Sequence, residues 1–264
     1  MGWKQNALRA AVWGLAFAAP AGPARAEQVT ECTRGGFCYC VNAELRGAIQ
    51  QNIADIRAMI AAERAKGKAI GYLSIPISTV AGSYFGENVK IAAEIKERVE
   101  DRLGVHAAWL LNTAGTTVTL PPGAAGADYM LMWTNVLEGS SGLGDFDFVY
   151  FAGPSDFARH FAFDGKADLE KLEAFYDAAV KTDPELKKVD RRAFRDYYGL
   201  RASVAYSYGS HDEWDIVRAI NEKRVAASNF GIARQIAVLF DAMPAAPGLF
   251  ETGVAAGNAG ACKG

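Results

Sequence analysis

The chain has 264 residues, half of them hydrophobic, and its 28 basic and 30 acidic side chains leave a formal net charge of −2. This balance gives no support for binding to nucleic acid or to an anionic membrane surface, because both partners attract strongly basic faces. The length is sufficient for one sizeable hydrophobic core.

The first 26 residues have the features of a secretory signal peptide. Lys4 and Arg9 precede an apolar run over residues 11–19, and Ala24-Arg-Ala26 is a small-residue cleavage site. We therefore expect residues 27–264 to form a single α/β domain that is exported to the periplasm or the extracellular space. No later apolar run approaches the roughly 18 to 20 residues of a membrane-spanning helix.

Four cysteines lie at positions 32, 38, 40 and 262. An even count in an exported protein predicts two disulfides. A bond between Cys38 and Cys40 closes a strained, very small ring, so we expect Cys32 to pair with one of these two and Cys262 with the other. Either pairing ties the N-terminal segment to the C-terminal segment.

Hydrophobic periodicity predicts a long helix over residues 42–66, with Asn42 as its N-cap and Gly67 as its end. Strands are then predicted near residues 69–75, 105–111, 146–151, 202–206 and 235–240. Helices are predicted between them over residues 87–103, 128–138, 167–181, 184–198 and 212–223. This alternation indicates a five-stranded, mostly parallel, doubly wound sheet with an added N-terminal helix.

Polar side chains follow three of the predicted strands, where parallel α/β sheets bind their ligands. We take as candidate catalytic residues Glu213, Asp156, His211 and His160. We take as candidate ligand-binding residues Tyr72, Ser74, Ser78, Tyr84, Ser155, Ser207, Tyr208 and Ser210. The loops after residues 75, 151 and 206 are expected to bring them to one site.

Two interpretations of Glu213 remain open. Ser210-His-Asp-Glu213 matches a capping box, in which Ser210 starts the helix and the glutamate bonds back to the Ser210 backbone. A carboxylate on the first turn of a helix at the end of a strand is also a candidate nucleophile or general base. Glu213 facing a cleft with another carboxylate or histidine nearby would favour an enzyme, and Glu213 folded onto Ser210 would favour a binding module.

The segment Gly209-Ser210-x-x-Glu213 on a helix, followed by a basic segment and a strand, resembles the closing βαβ unit of the nucleoside 2-deoxyribosyltransferase-like proteins. Gly71-Tyr-Leu-Ser-Ile-Pro76 is similar to their first strand, and the resemblance extends over residues 69–241. It implies that Glu213 is the nucleophile that attacks an anomeric carbon and that Tyr72 lines the pocket. The acidic residue that family members carry shortly before the glutamate is replaced here by Ser207 and Tyr208, so the assisting carboxylate is either Asp156 or absent.

We therefore expect an exported hydrolase or transferase that acts on a nucleoside- or glycoside-like small molecule through Glu213. The alternative is a non-catalytic secreted module that binds a small ligand or a partner protein, with aromatic side chains near the strand ends lining its pocket. The sequence does not predict an oligomeric state.

No cofactor motif is present, and the three histidines lack the spacing of a metal site. A metal site would require the fold to gather His160, His211, Asp156 and Asp212. A Ser–His–Asp arrangement would require Ser155 or Ser210 to meet one of the same histidines.

Overall fold

The computed structural model describes residues 27–77, 82–115, 118–200, 202–228, 234–245 and 261–262. Residues 1–26, predicted to be a signal peptide, and Ser78 lie outside these ranges. The strands are β1 (Gln28–Cys32), β2 (Cys38–Asn42), β3 (Ala69–Ser74), β4 (Ala108–Asn112), β5 (Phe148–Phe151), β6 (Ala237–Phe240) and β7 (Met243–Pro244). The helices are α1 (Arg46–Ala65), α2 (Phe85–Leu103), α3 (Gly126–Glu138), α4 (Pro154–His160), α5 (Asp168–Ala179), α6 (Arg191–Leu200) and α7 (Tyr208–Ala227).

The main sheet has five strands in the order β4-β3-β5-β6-β7. The first four are parallel, and the two-residue β7 pairs antiparallel with β6 at one edge. β3 lies inside the sheet and is buried from Ile70 to Ser74, as expected for a strand covered on both faces. The predicted α/β class, the five-stranded mostly parallel sheet and the added N-terminal helix are confirmed.

Helices cover both faces of this sheet. On one face α3 contacts both α1 and α7, and the isoleucines of α1 at positions 49, 53, 56 and 60 are buried. On the other face α2 contacts β4 and α4. The register shows which side chains point to each face. Tyr72 pairs with Val149 and points to α3 and α7. Tyr150 follows Val149 on β5 and therefore points to the opposite face, toward α2 and α4.

The predicted strand over residues 202–206 is wrong. Residues Val204–Tyr206 form a 3-10 turn in which the Ser203 hydroxyl accepts a hydrogen bond from the Ala205 N–H. The Val204 N–H reaches the Ala152 carbonyl oxygen at 3.1 Å, but no further ladder bonds are formed there, and Tyr206 is exposed. The fifth strand is instead β7.

Other elements also differ from the predictions, and α1 begins at Arg46, after a 3-10 turn over Ala43–Leu45, rather than at residue 42. Helix α4 was not predicted, and α7 begins four residues earlier than expected, at Tyr208. The predicted helix over residues 184–198 is divided into a 3-10 helix, Pro184–Lys188, and α6. Val189 is extended and ends the 3-10 helix, which explains the division.

Strands β1 and β2 form a separate antiparallel hairpin that is fixed by both disulfides. Cys32 bonds to Cys38 across the hairpin, and Cys40 bonds to Cys262. The predicted pairing scheme is therefore confirmed, and the structure selects one of its two versions. The hairpin and the chain close to the carboxyl terminus are joined covalently.

The hairpin packs onto α3 through buried hydrogen bonds. Thr33 donates to Glu138 at 2.8 Å, and the Asn42 N–H donates to Asp128 at 2.9 Å. Between them the Tyr39 hydroxyl lies 2.7 Å from Thr134 Oγ1. Because Thr134 already donates its one proton to the Met130 carbonyl oxygen, Tyr39 is the donor in this bond.

The β4 edge of the sheet is protected by side chains of α2. Lys96 Nζ donates to the Leu110 carbonyl oxygen, and a Glu100 carboxylate oxygen accepts from the Leu110 N–H, both at 2.8 Å. These contacts satisfy backbone groups that a second chain would otherwise pair with. In the described ranges, no helix is both long enough and apolar enough to cross a membrane.

Candidate functional site

Glu213 lies in the second turn of α7, and its side chain points to the sheet. The N-cap of α7 is Ser207, whose hydroxyl accepts from the Ser210 N–H at 3.3 Å. Ser210 is therefore inside the helix rather than at its cap, and the predicted Ser210–Glu213 capping box is wrong. Structural capping does not explain the position of Glu213.

The Glu213 carboxylate is bonded to Tyr72. The Tyr72 hydroxyl donates to Glu213 Oε1 at 2.5 Å, and the two side chains are 0% and 7% exposed. Trp133 and Phe146 pack edge-on against the Tyr72 ring, with centroid distances of 5.9 and 5.4 Å. These two contacts fix the direction in which the Tyr72 hydroxyl points.

Burial raises the pKa of Glu213 to about 7. The Tyr72 hydrogen bond and the nearby Ser74 hydroxyl oppose this shift in pKa, and the charge of Asp212 adds to it. The pKa of Tyr72 is itself raised well above its usual value by burial and by Glu213, so its hydroxyl stays protonated and remains a donor. Glu213 thus populates both ionisation states near neutral pH, which suits proton transfer.

Ser74 lies two residues after Tyr72 on β3 and therefore points to the same face of the sheet. It is fully buried at the carboxyl end of the strand. Its hydroxyl is close enough to Glu213 to lower the pKa of that carboxyl, yet Ser74 Oγ has no well-aligned hydrogen-bond partner among the described residues. The site therefore contains a buried hydroxyl group beside the carboxylate that lacks a well-aligned hydrogen bond.

Tyr39 is a member of this site that the sequence analysis missed. Burial, together with the charges of Asp212, Glu138 and Glu213, raises its pKa to about 12. Its position between Cys38 and Cys40 is a signal that was available in the sequence, since two disulfides at adjacent positions fix the side chain between them. Thr134 on α3 was missed because the sequence pattern of α3 is typical of ordinary core packing.

Asp156 is not brought to Glu213. It lies near the start of α4 on the opposite face of the sheet, where it forms an ion pair with Arg98. It also accepts a hydrogen bond from Tyr150 at 3.0 Å and one from the Gly153 N–H at 3.0 Å. Burial raises the pKa of Asp156, but these donors account for its position without a role beside Glu213.

His160 also lies on the face away from Glu213. Its Nε2 is 3.1 Å from a Glu87 oxygen and its Nδ1 is 3.0 Å from a Glu94 oxygen. Burial alone would lower the pKa of His160, but the hydrogen bonds to the two glutamates outweigh it and raise the pKa. His160 thus links α4 to α2.

The other predicted residues are dispersed. The Ser155 hydroxyl donates to Asp241 at 2.7 Å, the Tyr84 hydroxyl donates to Asp183 at 2.6 Å, and His211 Nε2 lies 2.9 Å from the Ala205 carbonyl oxygen. Tyr208 is 91% exposed at the start of α7. Of the predicted candidates, the structure brings together Glu213, Tyr72 and Ser74.

Neither a metal centre nor a Ser–His–Asp arrangement is formed by the predicted residues. In the part of the chain that the structure describes, no group of three or more His, Cys, Asp or Glu side chains is placed to hold a metal ion. Ser155 is bonded to Asp241, whereas His160 is bonded to two glutamates on α2. The Glu213 site is therefore the arrangement whose chemistry requires explanation.

No known family model, curated protein or solved structure matches this chain. The function must be inferred from the site itself.

Proposed function

We propose that this protein is a hydrolase or transferase that cleaves the glycosidic bond of a small nucleoside- or glycoside-like molecule, with Glu213 as the reacting carboxylate. The single observation that carries the proposal is the buried Glu213, with a pKa of about 7, bonded to Tyr72 near the carboxyl end of β3. Carboxylates perform both nucleophilic and acid–base steps in glycoside cleavage.

Tyr72 donates to Glu213 Oε1, and in this proposal Oε2 is the oxygen that reacts with the substrate. In the first step Oε2 forms a bond to the anomeric carbon, and the bond from that carbon to the leaving nitrogen or oxygen breaks. The leaving atom keeps the electron pair and takes a proton. In the second step water or an acceptor hydroxyl attacks the same carbon, loses its proton, and releases Glu213.

Asp212 replaces Asp156 as the assisting acid in this proposal. It is half-buried and next to Glu213 in α7, and its charge adds to the effect of burial in raising the pKa of Glu213. Burial and the neighbouring Asp215 raise the pKa of Asp212 itself. A protonated Asp212 can deliver the proton to the leaving atom, and its carboxylate can recover a proton from the attacking water.

We place this activity outside the cytoplasm. The two disulfides fit an oxidising compartment, and residues 1–26 have the pattern of a cleaved leader. The proposed substrate is a small molecule, since the net charge of −2 does not favour a polyanion.

The test is turnover by the purified mature chain on nucleosides and nitrophenyl glycosides, repeated with Glu213→Ala in the presence of azide. We expect the substitution to lower kcat/KM at least about a thousand-fold. Azide should then restore cleavage and yield a glycosyl azide, because it fits the space left by the carboxylate. Glu222→Gln, an exposed carboxylate on the same helix, is the matched control. Wild-type rates in Glu213→Ala would refute the assignment of Glu213.

The second candidate function is a non-catalytic binding module. The low exposure of Glu213, 7%, favours it, because a closed site can hold a small polar ligand without any reaction. A ligand that raises the melting temperature of the wild type but is recovered unchanged would support this alternative.

A further inference from the structure

The buried hydroxyl of Ser74 is the starting point of this inference. Burying a hydroxyl group without a hydrogen-bond partner destabilises the fold. Such a group is therefore expected where a ligand or a water molecule supplies the partner. Ser74 is 0% exposed, and its Oγ has no hydrogen-bond partner among the described residues. On β5 its pairing neighbour is Phe151, whose side chain is apolar and offers no acceptor.

The position of Ser74 relative to Glu213 determines which part of a substrate it can meet. Tyr72 and Ser74 project from β3 on the same face, and Tyr72 is bonded to Glu213 Oε1. Ser74 is close to the Glu213 carboxylate without a well-formed bond to it. An oxygen atom of a third molecule that bonds to Ser74 would therefore lie beside the carboxylate.

The proposed chemistry identifies that oxygen. When a carboxylate attacks an anomeric carbon, the substituent on the adjacent carbon lies next to the carboxylate, and hydrogen bonds to a hydroxyl there strengthen in the transition state. A glutamate can supply such a bond with its second oxygen. Here Tyr72 already donates to Oε1, and Ser74 is a second buried hydroxyl beside the carboxylate that can bond to the hydroxyl of the substrate.

We propose that Ser74 is a specificity-determining residue that selects sugars carrying a hydroxyl on the carbon next to the anomeric carbon, and that it rejects 2-deoxy sugars. This inference rests on the proposed function. A 2-deoxy substrate would leave the Ser74 hydroxyl buried and unpaired, and sites built around a substrate hydroxyl discriminate strongly against analogues that lack it. The preference is the reverse of the one that the name 2-deoxyribosyltransferase implies.

The experiment compares matched pairs, a ribonucleoside with its 2′-deoxyribonucleoside and a nitrophenyl glucoside with its 2-deoxyglucoside. Wild type, Ser74→Ala and Ser74→Thr are compared, with the exposed Ser140→Ala as the control. We expect wild type to favour the hydroxylated member at least about a hundred-fold in kcat/KM. Ser74→Ala should lose most of this ratio through slower cleavage of the hydroxylated substrate alone, and Ser74→Thr should retain part of it. Equal rates on both members, or an equal loss on both in Ser74→Ala, would overturn the proposal.

A binding measurement separates this inference from the proposed function. Calorimetry with Glu213→Gln and the same pairs tests whether the hydroxylated member binds more tightly and whether Ser74→Ala removes the difference. Tighter binding without turnover by the wild type would refute the enzymatic function and support the role of Ser74. Turnover with no preference in rate or binding would support the function and refute the role of Ser74. Neither binding nor turnover of either member would refute both.

Discussion

Tyr72 and Glu213 are 141 residues apart in the sequence, and a 2.5 Å hydrogen bond joins them in the core. The bond connects β3, which comes first along the chain among the strands of the main sheet, to α7, the helix that precedes the parallel strand β6. Because burial keeps Tyr72 protonated, the phenol donates to the carboxylate and stabilises its ionised form. The ionisation of Glu213 is thus a balance in which burial and the charge of Asp212 raise its pKa, and the hydroxyls of Ser74 and Tyr72 lower it.

Replacing Tyr72 with phenylalanine should raise the pKa of Glu213 above its value of about 7. The ring contacts are retained, but the hydrogen bond that favours the carboxylate is lost, and the free energy of unfolding should fall by roughly 1 to 3 kcal/mol. NMR titration of protein with labelled glutamate measures the pKa directly. Tyr176→Phe is the control, since its hydroxyl donates to the Val189 carbonyl oxygen away from the site. An unchanged pKa in Tyr72→Phe would show that the hydrogen bond does not stabilise the ionised carboxylate.

Glu213→Gln should change the pH dependence of stability. A carboxyl whose pKa is raised by folding holds its proton more tightly in the native state than in the unfolded chain. Its ionisation therefore lowers the free energy of unfolding as pH rises from about 4.5 to about 7. The shift corresponds to about 3 kcal/mol. Glutamine still accepts from Tyr72 but does not ionise.

Urea denaturation of the wild type and Glu213→Gln at pH 4, 6 and 8 measures this effect. The stability of the variant relative to the wild type should improve by about 3 kcal/mol between pH 4 and pH 8. Glu222→Gln removes an exposed carboxylate from the same helix and should show no comparable trend. A constant difference across the pH range would mean that Glu213 has an ordinary pKa in the folded protein.

The sheet was predictable because its strands are apolar runs that end at polar or glycine-rich segments, and Ile70 to Ser74 is buried as that pattern requires. The strand over residues 202–206 failed for a local reason. Val204-Ala-Tyr206 is apolar, but Ser203 caps a 3-10 turn, and this hydrogen bond competes with sheet pairing. β7, with only two residues, has too little sequence to form a recognisable pattern.

The strand-end rule predicted Ser74, which ends β3. Tyr72 came from the resemblance, and Glu213 came from a predicted strand over residues 202–206 that is a 3-10 turn in the structure. The rule does not say on which face of the sheet a residue lies. Asp156 follows its strand as Ser74 does, yet it lies on the face covered by α2 and α4. The choice of Ser207 over Ser210 as helix cap also depended on tertiary structure, because the earlier start carries Glu213 toward Tyr72.

His160 should stabilise the fold most at low pH. Its pKa is raised in the folded protein by Glu87 and Glu94, so its contribution is complete below the pKa of an unfolded histidine and is lost as pH rises through the folded pKa. We expect His160→Gln to cost about 1 to 2 kcal/mol at pH 5.5 and less at pH 9. Urea denaturation at the two pH values, with the exposed His106→Gln as control, measures this. A larger loss of stability at pH 9 than at pH 5.5 would mean that the folded protein does not favour the protonated form of His160.

The two disulfides should contribute unequally to stability. Cys40–Cys262 closes 222 residues of chain, whereas Cys32–Cys38 closes six. If a disulfide acts mainly by restricting the unfolded chain, replacing Cys40 and Cys262 with serines should lower the free energy of unfolding by about 5 kcal/mol. Replacing Cys32 and Cys38 should lower it by about 2 kcal/mol. Urea denaturation of both double variants under non-reducing conditions gives the two values. The two losses of stability could instead be equal, or the loss could be greater when Cys32 and Cys38 are replaced. Either result would mean that the Cys32–Cys38 disulfide acts chiefly in the folded state, by holding Tyr39 against Thr134 on α3.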